Sequence, residues 1–199
     1  MVAGSLLALA QRDVRRMLAY SSVGQMGYIV LGLSLGNAAA LTGALLHVFA
    51  HAVMKGCLFL VAGGVQWRSG DCRLEAFLGL SRRLPLSTAA FVVAALSMVG
   101  LPPTAGFFSK WYLLLGAVQA RAWPAVGALV LSSLLGAVYF FRLVEYAYLR
   151  PAPETLQRRE LPVPMLAPIA VLAASLLLLG LLHQSALVPL IQRALPEVL

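Results

Sequence analysis

The chain has 199 residues, of which 61% are hydrophobic and only 11% charged, with a mean hydropathy of +0.88. A soluble domain carries about 25% charged residues, so the composition excludes one and points to an integral membrane protein. The formal charge of +8 comes from arginines between the apolar stretches, which reports orientation in a bilayer rather than nucleic-acid binding.

Taken in chain order, the first ten residues, Met1–Ala10, are apolar but too short to cross a bilayer, and they lack the basic start of a signal peptide. They read as the tail of a helix whose beginning is supplied elsewhere, either because the chain is a fragment or because a partner carries it. Arg12-Asp13-Val14-Arg15-Arg16 forms an interfacial basic patch. A first span is expected at about Met17–Leu35, with Ser21, Gln25 and Tyr28 on one face. Gly24 and Gly27 allow close helix approach there. Gly36-Asn37 makes a tight turn into a second span, about Ala38–Val65, which holds His47, His51 and Lys55. A basic loop follows, with Arg68, Arg73, Arg82 and Arg83. Pro85 opens the next helix, a favoured place for proline. The segment from about Leu86 to Gln119 is too long for one straight span and is broken at Gly100-Leu101-Pro102-Pro103, because two prolines remove donors and end a helix. A fourth span is expected at about Trp123–Tyr146, then a Pro-rich charged loop at Arg150–Pro164, then a fifth span at about Met165–Leu182 and a short tail.

The broken segment reads as one discontinuous crossing rather than a hairpin. One crossing puts the Arg-rich segments 12–16, 68–83 and 150–159 on one face, as the positive-inside rule requires. The fold class is therefore all-α, a polytopic bundle of five complete spans plus a short N-terminal helix, within one membrane domain over residues 1–199. The Arg-rich loops are placed on the cytoplasmic side. Cys57 falls inside a span and Cys72 in a loop, so no disulfide between them is expected.

The chain has only two lysines against thirteen arginines. Lys55 is central in its span and Lys110 lies just past the break. An ammonium at membrane depth costs at least ~2.5–3.5 kcal/mol on insertion scales, so two such residues suggest a task. His47, His51 and Lys55 follow i, i+4, i+8 spacing, which turns only ~40° per step and rises ~12 Å in total. Histidine changes charge near neutral pH, and a lysine taken from water releases its proton more readily. The row, with Lys110, looks like a set of stepping sites for protons. Two histidines at i, i+4 also suit a metal, but no carboxylate or cysteine shares their face, so none is expected. Nothing in the sequence suggests a redox cofactor. No Asp or Glu lies at membrane depth, so the carboxylate partners of the lysines are expected from other helices or subunits.

Three stretches resemble one family. RDVRRMLAYSSVGQMGYIVLG (Arg12–Gly32), HVFAHAVMKGCLFLVAGGV (His47–Val65) and LSMVGLPPTAGFFSKWYLL (Leu96–Leu114) are similar to the antiporter-like proton-translocating membrane subunits of respiratory complex I, membrane-bound hydrogenases and Mrp-type cation/proton antiporters. The resemblance covers roughly residues 3–150. The family fold has fourteen transmembrane helices with two inverted repeats of five, and this chain looks like the end of the ninth helix plus helices ten to fourteen. Residues 1–150 then form the C-terminal half of the antiporter-like domain, and 151–199 a linker, the last helix and a tail.

By that resemblance Lys110 matches the key titratable residue of the second broken helix, and His47, His51 and Lys55 match the hydrophilic axis beside it. Arg15 sits where several members carry a lysine; as an arginine it stays charged and suits a lipid headgroup or a carboxylate. Gln25 and Glu145 are accessory candidates. The implied function is proton translocation in a redox-driven or cation/proton antiporter complex of a prokaryotic inner membrane. The implied partners are other membrane subunits, the first repeat among them, and the bilayer; the cargo is protons and, in some members, Na+. A non-conducting structural remnant or split subunit is the alternative. The Ser-Lys-Trp-Tyr-Leu-Leu run leans slightly towards the Mrp and hydrogenase-linked branches.

Overall fold

The computed structural model describes residues 1–150 and 159–194 and is helical throughout, with no strand among the described residues. The helices are α1 Val2–Leu9, α2 Val14–Leu35, α3 Ala38–Ser69, α4 Leu80–Arg83, α5 Pro85–Val99, α6 Ala105–Gln119, α7 Trp123–Tyr148, α8 Val163–Leu181 and α9 Val188–Ala194. Helices α2, α3, α7 and α8 are each long and apolar enough to cross a membrane. Most of the expected linker, 151–158, and the end of the tail, 195–199, lie outside the described residues.

Local chemistry sets the helix ends. Asp13 caps α2, its carboxylate accepting from the backbone N–H of Arg15 and Arg16, so the helix starts three residues before the expected Met17. Gly36 ends α2 in the left-handed conformation (φ +64). Asn37 then caps α3 through Oδ1 on the N–H of Ala40, 2.8 Å away, while its Nδ2 donates to the Gly116 carbonyl of α6. Helix α3 runs on to Ser69, four residues past the expected end, because its left-handed stop is Gly70 (φ +75). Pro85 stands in the first turn of α5, where its missing N–H costs nothing.

The break between α5 and α6 falls where the proline pair puts it. Gly100 takes a left-handed conformation (φ +93) that closes α5, and α6 restarts at Ala105. The register against α3 shows that the two halves make one crossing. Asn37 and Ala40 meet Gly116, Gly43 meets Leu113, His47 meets Ser109, and Cys57 faces the Ala90 carbonyl. Residue numbers fall steadily across the break as α3 is followed from start to middle, whereas a hairpin would fold back.

The Arg-rich segments gather at one end, as expected. Val14 N–H donates to the Cys72 carbonyl and Leu74 N–H to the Arg12 carbonyl, which ties 12–16 to the 68–83 loop. Arg159 N–H donates to the Arg83 carbonyl, and Glu160 caps the start of α5 through Leu86 N–H and Ser87 Oγ. The core beneath joins α2, α3, α5, α7 and α8 through Leu18, Met54, Leu58, Phe91, Phe140 and Leu176. Outward faces carry apolar residues such as Val30, Phe49, Leu134 and Val171, as hydrocarbon contact demands. Gly24 and Gly27 are approached by α1, with Met1 and Ser5 beside them. Both cysteines are free and buried.

Candidate functional site

The expected row on α3 lies inside the bundle. His47 is fully buried, and His51 and Lys55 are 8% and 7% exposed. Each neighbour is set by the antiparallel packing of α3 on α2 and α6. His47 bonds on both sides of its ring, with Nε2 on Gln25 Oε1 at 2.8 Å and Nδ1 on Ser109 Oγ at 2.9 Å. Its ring lies 5.4 Å from that of Tyr28 and 6.1 Å from that of His51. Buried His51 Nδ1 has no hydrogen-bond partner among the described residues. Lys55 Nζ reaches back to α2 and donates to the Leu18 carbonyl at 2.6 Å and to Ser21 Oγ.

Lys110 projects from the second turn of α6 back across the break. Its Nζ donates to the carbonyls of Met98 (2.7 Å) and Val99 (3.1 Å) and to Ser133 Oγ on α7 (3.0 Å), and it lies 5.0 Å from the centre of the Tyr28 ring. Met98 and Val99 end α5, so their carbonyls have no partner further along the helix. The ammonium therefore sits at the negative end of the α5 dipole. It also borders a cavity of about 270 Å³, with Tyr28, Trp111, Leu129 and Ser133 among its walls.

Within this chain both lysines take backbone carbonyls and serine hydroxyls. The broken helix frees two carbonyls for Lys110, and the other neutral acceptors come from α2 and α7. The polar stripe of α2 proves to be the facing wall: Ser21 holds Lys55, Gln25 holds His47, and Tyr28 lies beneath Lys110.

Two accessory candidates stand apart. Glu145 is twelve residues beyond Ser133 on α7, ~18 Å at 1.5 Å per residue, and pairs with Arg150 at 3.0 Å on the surface. Arg15 pairs with Asp13 at 3.2 Å and donates to Gln66 Oε1 at 2.6 Å near the end of α3. It takes a carboxylate, as an arginine there should, and does not join the row. The sequence reading missed Ser109 and Ser133. For Ser133 the signal was the adjacent hydroxyls of Ser132 and Ser133 in the apolar first half of α7.

The description "NADH:quinone oxidoreductase/Mrp antiporter, TM" is that of a family model that matches residues 1–136. The chain belongs to this family. It is 55% identical to NADH-quinone oxidoreductase subunit N of Desulforudis audaxviator over 97% of its own length and 41% of that relative. It is 37% identical to F(420)H(2) dehydrogenase subunit N of Methanosarcina mazei, over 91% of this chain and 38% of that one. Among solved structures, a chain of the Mrp complex from a Dietzia species superposes with a TM-score of 0.88 at 26% identity, covering 96% of this chain and 44% of that one. The chain thus spans about two fifths of the length of these family members. By identity the NADH-linked relative is nearer than the Mrp chain, 55% against 26%, so the slight lean towards the Mrp branch is not supported.

Proposed function

We propose that this chain carries protons through the second half-channel of an antiporter-like subunit, within a redox- or ion-driven membrane complex. Residues 1–150 form the C-terminal half of the antiporter-like domain in this reading, and the Arg-rich end faces the cytoplasm of a prokaryotic inner membrane. One observation carries it. Two lysines and two histidines stand within an apolar bundle, around a helix break, and the hydrogen-bond partners they have among the described residues are all neutral. Neutral partners hold a charge without fixing it, whereas a close carboxylate would pin each lysine in its charged form. Lys110 is the centre of the arrangement: a charge arriving or leaving nearby changes how readily it keeps its proton, and the histidine row passes the proton on. Electron transfer belongs to partner subunits.

The test is proton uptake by membrane vesicles containing the assembled complex, with Lys110→Ala and Lys110→Arg beside the parent. Both should lose most uptake with assembly intact, the arginine because it cannot release its proton. Normal pumping in both would leave the chain a scaffold.

A further inference from the structure

We propose that Ser21, Ser109 and Ser133 are positioning residues that work as hydroxyl rotors, each able to hold its titratable neighbour in either charge state. This rests on the proton-translocation reading above. A charged lysine has three N–H donors and no acceptor, whereas a neutral one has two donors and a lone pair. Around Lys110 Nζ stand the Met98 and Val99 carbonyls and Ser133 Oγ. The charged amine donates to all three. Once neutral, it has hydrogens for the two carbonyls and turns its lone pair to Ser133, which must then donate. A carbonyl cannot make that reversal; a hydroxyl can. While Lys110 is charged, the Ser133 hydrogen is free for Tyr28 Oη at 3.2 Å, and the Tyr28 hydrogen goes to the Leu129 carbonyl at 3.3 Å.

A like reversal is open at the other two groups, although Lys55 has one carbonyl partner where Lys110 has two. Ser21 accepts from Lys55 and gives its own hydrogen to the Leu18 carbonyl at 2.9 Å. That hydrogen turns to Nζ when the amine is neutral. His47 donates from Nε2 to Gln25 Oε1; when the ring is charged, Nδ1–H donates to Ser109, whose hydrogen goes to the Gly106 carbonyl at 3.0 Å. Loss of the Nδ1 proton swings the Ser109 hydrogen back onto the ring. A buried polar atom without a partner is costly, so a group ringed by carbonyls alone would be locked in its charged form. Three of the four titratable groups in the row stand on a serine, from α2, α6 and α7, that removes this lock.

Ser133 is the place to test it, because it lines the 270 Å³ cavity and so has room for an added methyl group. Valine and threonine fill the same space and differ in the hydroxyl. In vesicles holding the assembled complex, Ser133→Thr should keep proton uptake within about twofold of the parent. Ser133→Val should lower it about tenfold or more, as expected for losing one hydrogen bond to a charged group. Equal uptake in the two variants, whether high or low, overturns the rotor. Lys110→Ala run alongside separates the two claims. If it stops uptake while Ser133→Val matches Ser133→Thr, the rotor alone falls. If Lys110→Ala pumps normally, the translocation reading falls with it.

Discussion

His47→Phe removes both ring nitrogens and puts a slightly larger aromatic ring at a position with no exposure. Ser109 still has the Gly106 carbonyl, but Gln25 Oε1, on a residue 4% exposed, loses the donor 2.8 Å away. An orphaned buried acceptor costs ~1–3 kcal/mol, and interhelical hydrogen bonds in membrane proteins average ~0.6 with a maximum near ~1.7. About 1–2 kcal/mol is therefore expected, or roughly 2–8 °C in Tm for a chain of this size. Gln25→Leu alone should cost a similar amount, by stranding Nε2–H of His47. The double variant has neither partner left to strand, so its Tm should return close to that of the parent, a coupling of ~2–4 kcal/mol, the sum of the two single losses. Thermal unfolding of the four proteins in detergent measures this. Stability losses that simply add would show that the pair is not the unit that the geometry describes. The double variant should still fail to move protons, which separates the role in the fold from the role in transport.

At Gly116 an added Cβ would meet the backbone N and Cα of Ala40 at 2.6 and 2.7 Å. Gly116→Val should therefore prise α6 from α3 and lower the yield of folded protein, measured by size-exclusion chromatography, while Gly127→Val, where nothing lies within 4 Å, should not. Burial pushes the Cys72 thiol up to about 11. A raised pKa means less thiolate at every lower pH, so maleimide at pH 8 should label Cys72 far more slowly in the native protein than after unfolding, as read by mass spectrometry.

The spans were legible because apolar runs of sufficient length have few other uses, and the break was legible in Gly100-Leu101-Pro102-Pro103. The arginine pattern also anticipated that 12–16, 68–83 and 150–159 would gather at one end, and backbone pairing joins the first two and ties Arg159 to Arg83, while 151–158 lie outside the described residues. Helix ends were less clear, since Asp13 and Gly70 act through cap geometry that hydropathy does not register. The partners of the lysines were illegible for a deeper reason. Met98 and Val99 carbonyls carry no side-chain signature, and Ser133 meets Lys110 only through tertiary packing of α7 on α6. Glu145 looked available because it was an acid near a span, yet its place on α7 sends it to Arg150.

The central claim is that Lys110 changes its protonation state as the complex works. The chain has two lysines, so side-chain nitrogen labelling of lysine in this subunit alone yields two NMR signals, separable by Lys55→Met. With the labelled chain reassembled in its complex in vesicles, the Lys110 nitrogen should move between the ammonium and amine positions as a proton gradient is imposed and released. A Lys110 signal fixed at the ammonium position throughout would contradict the account.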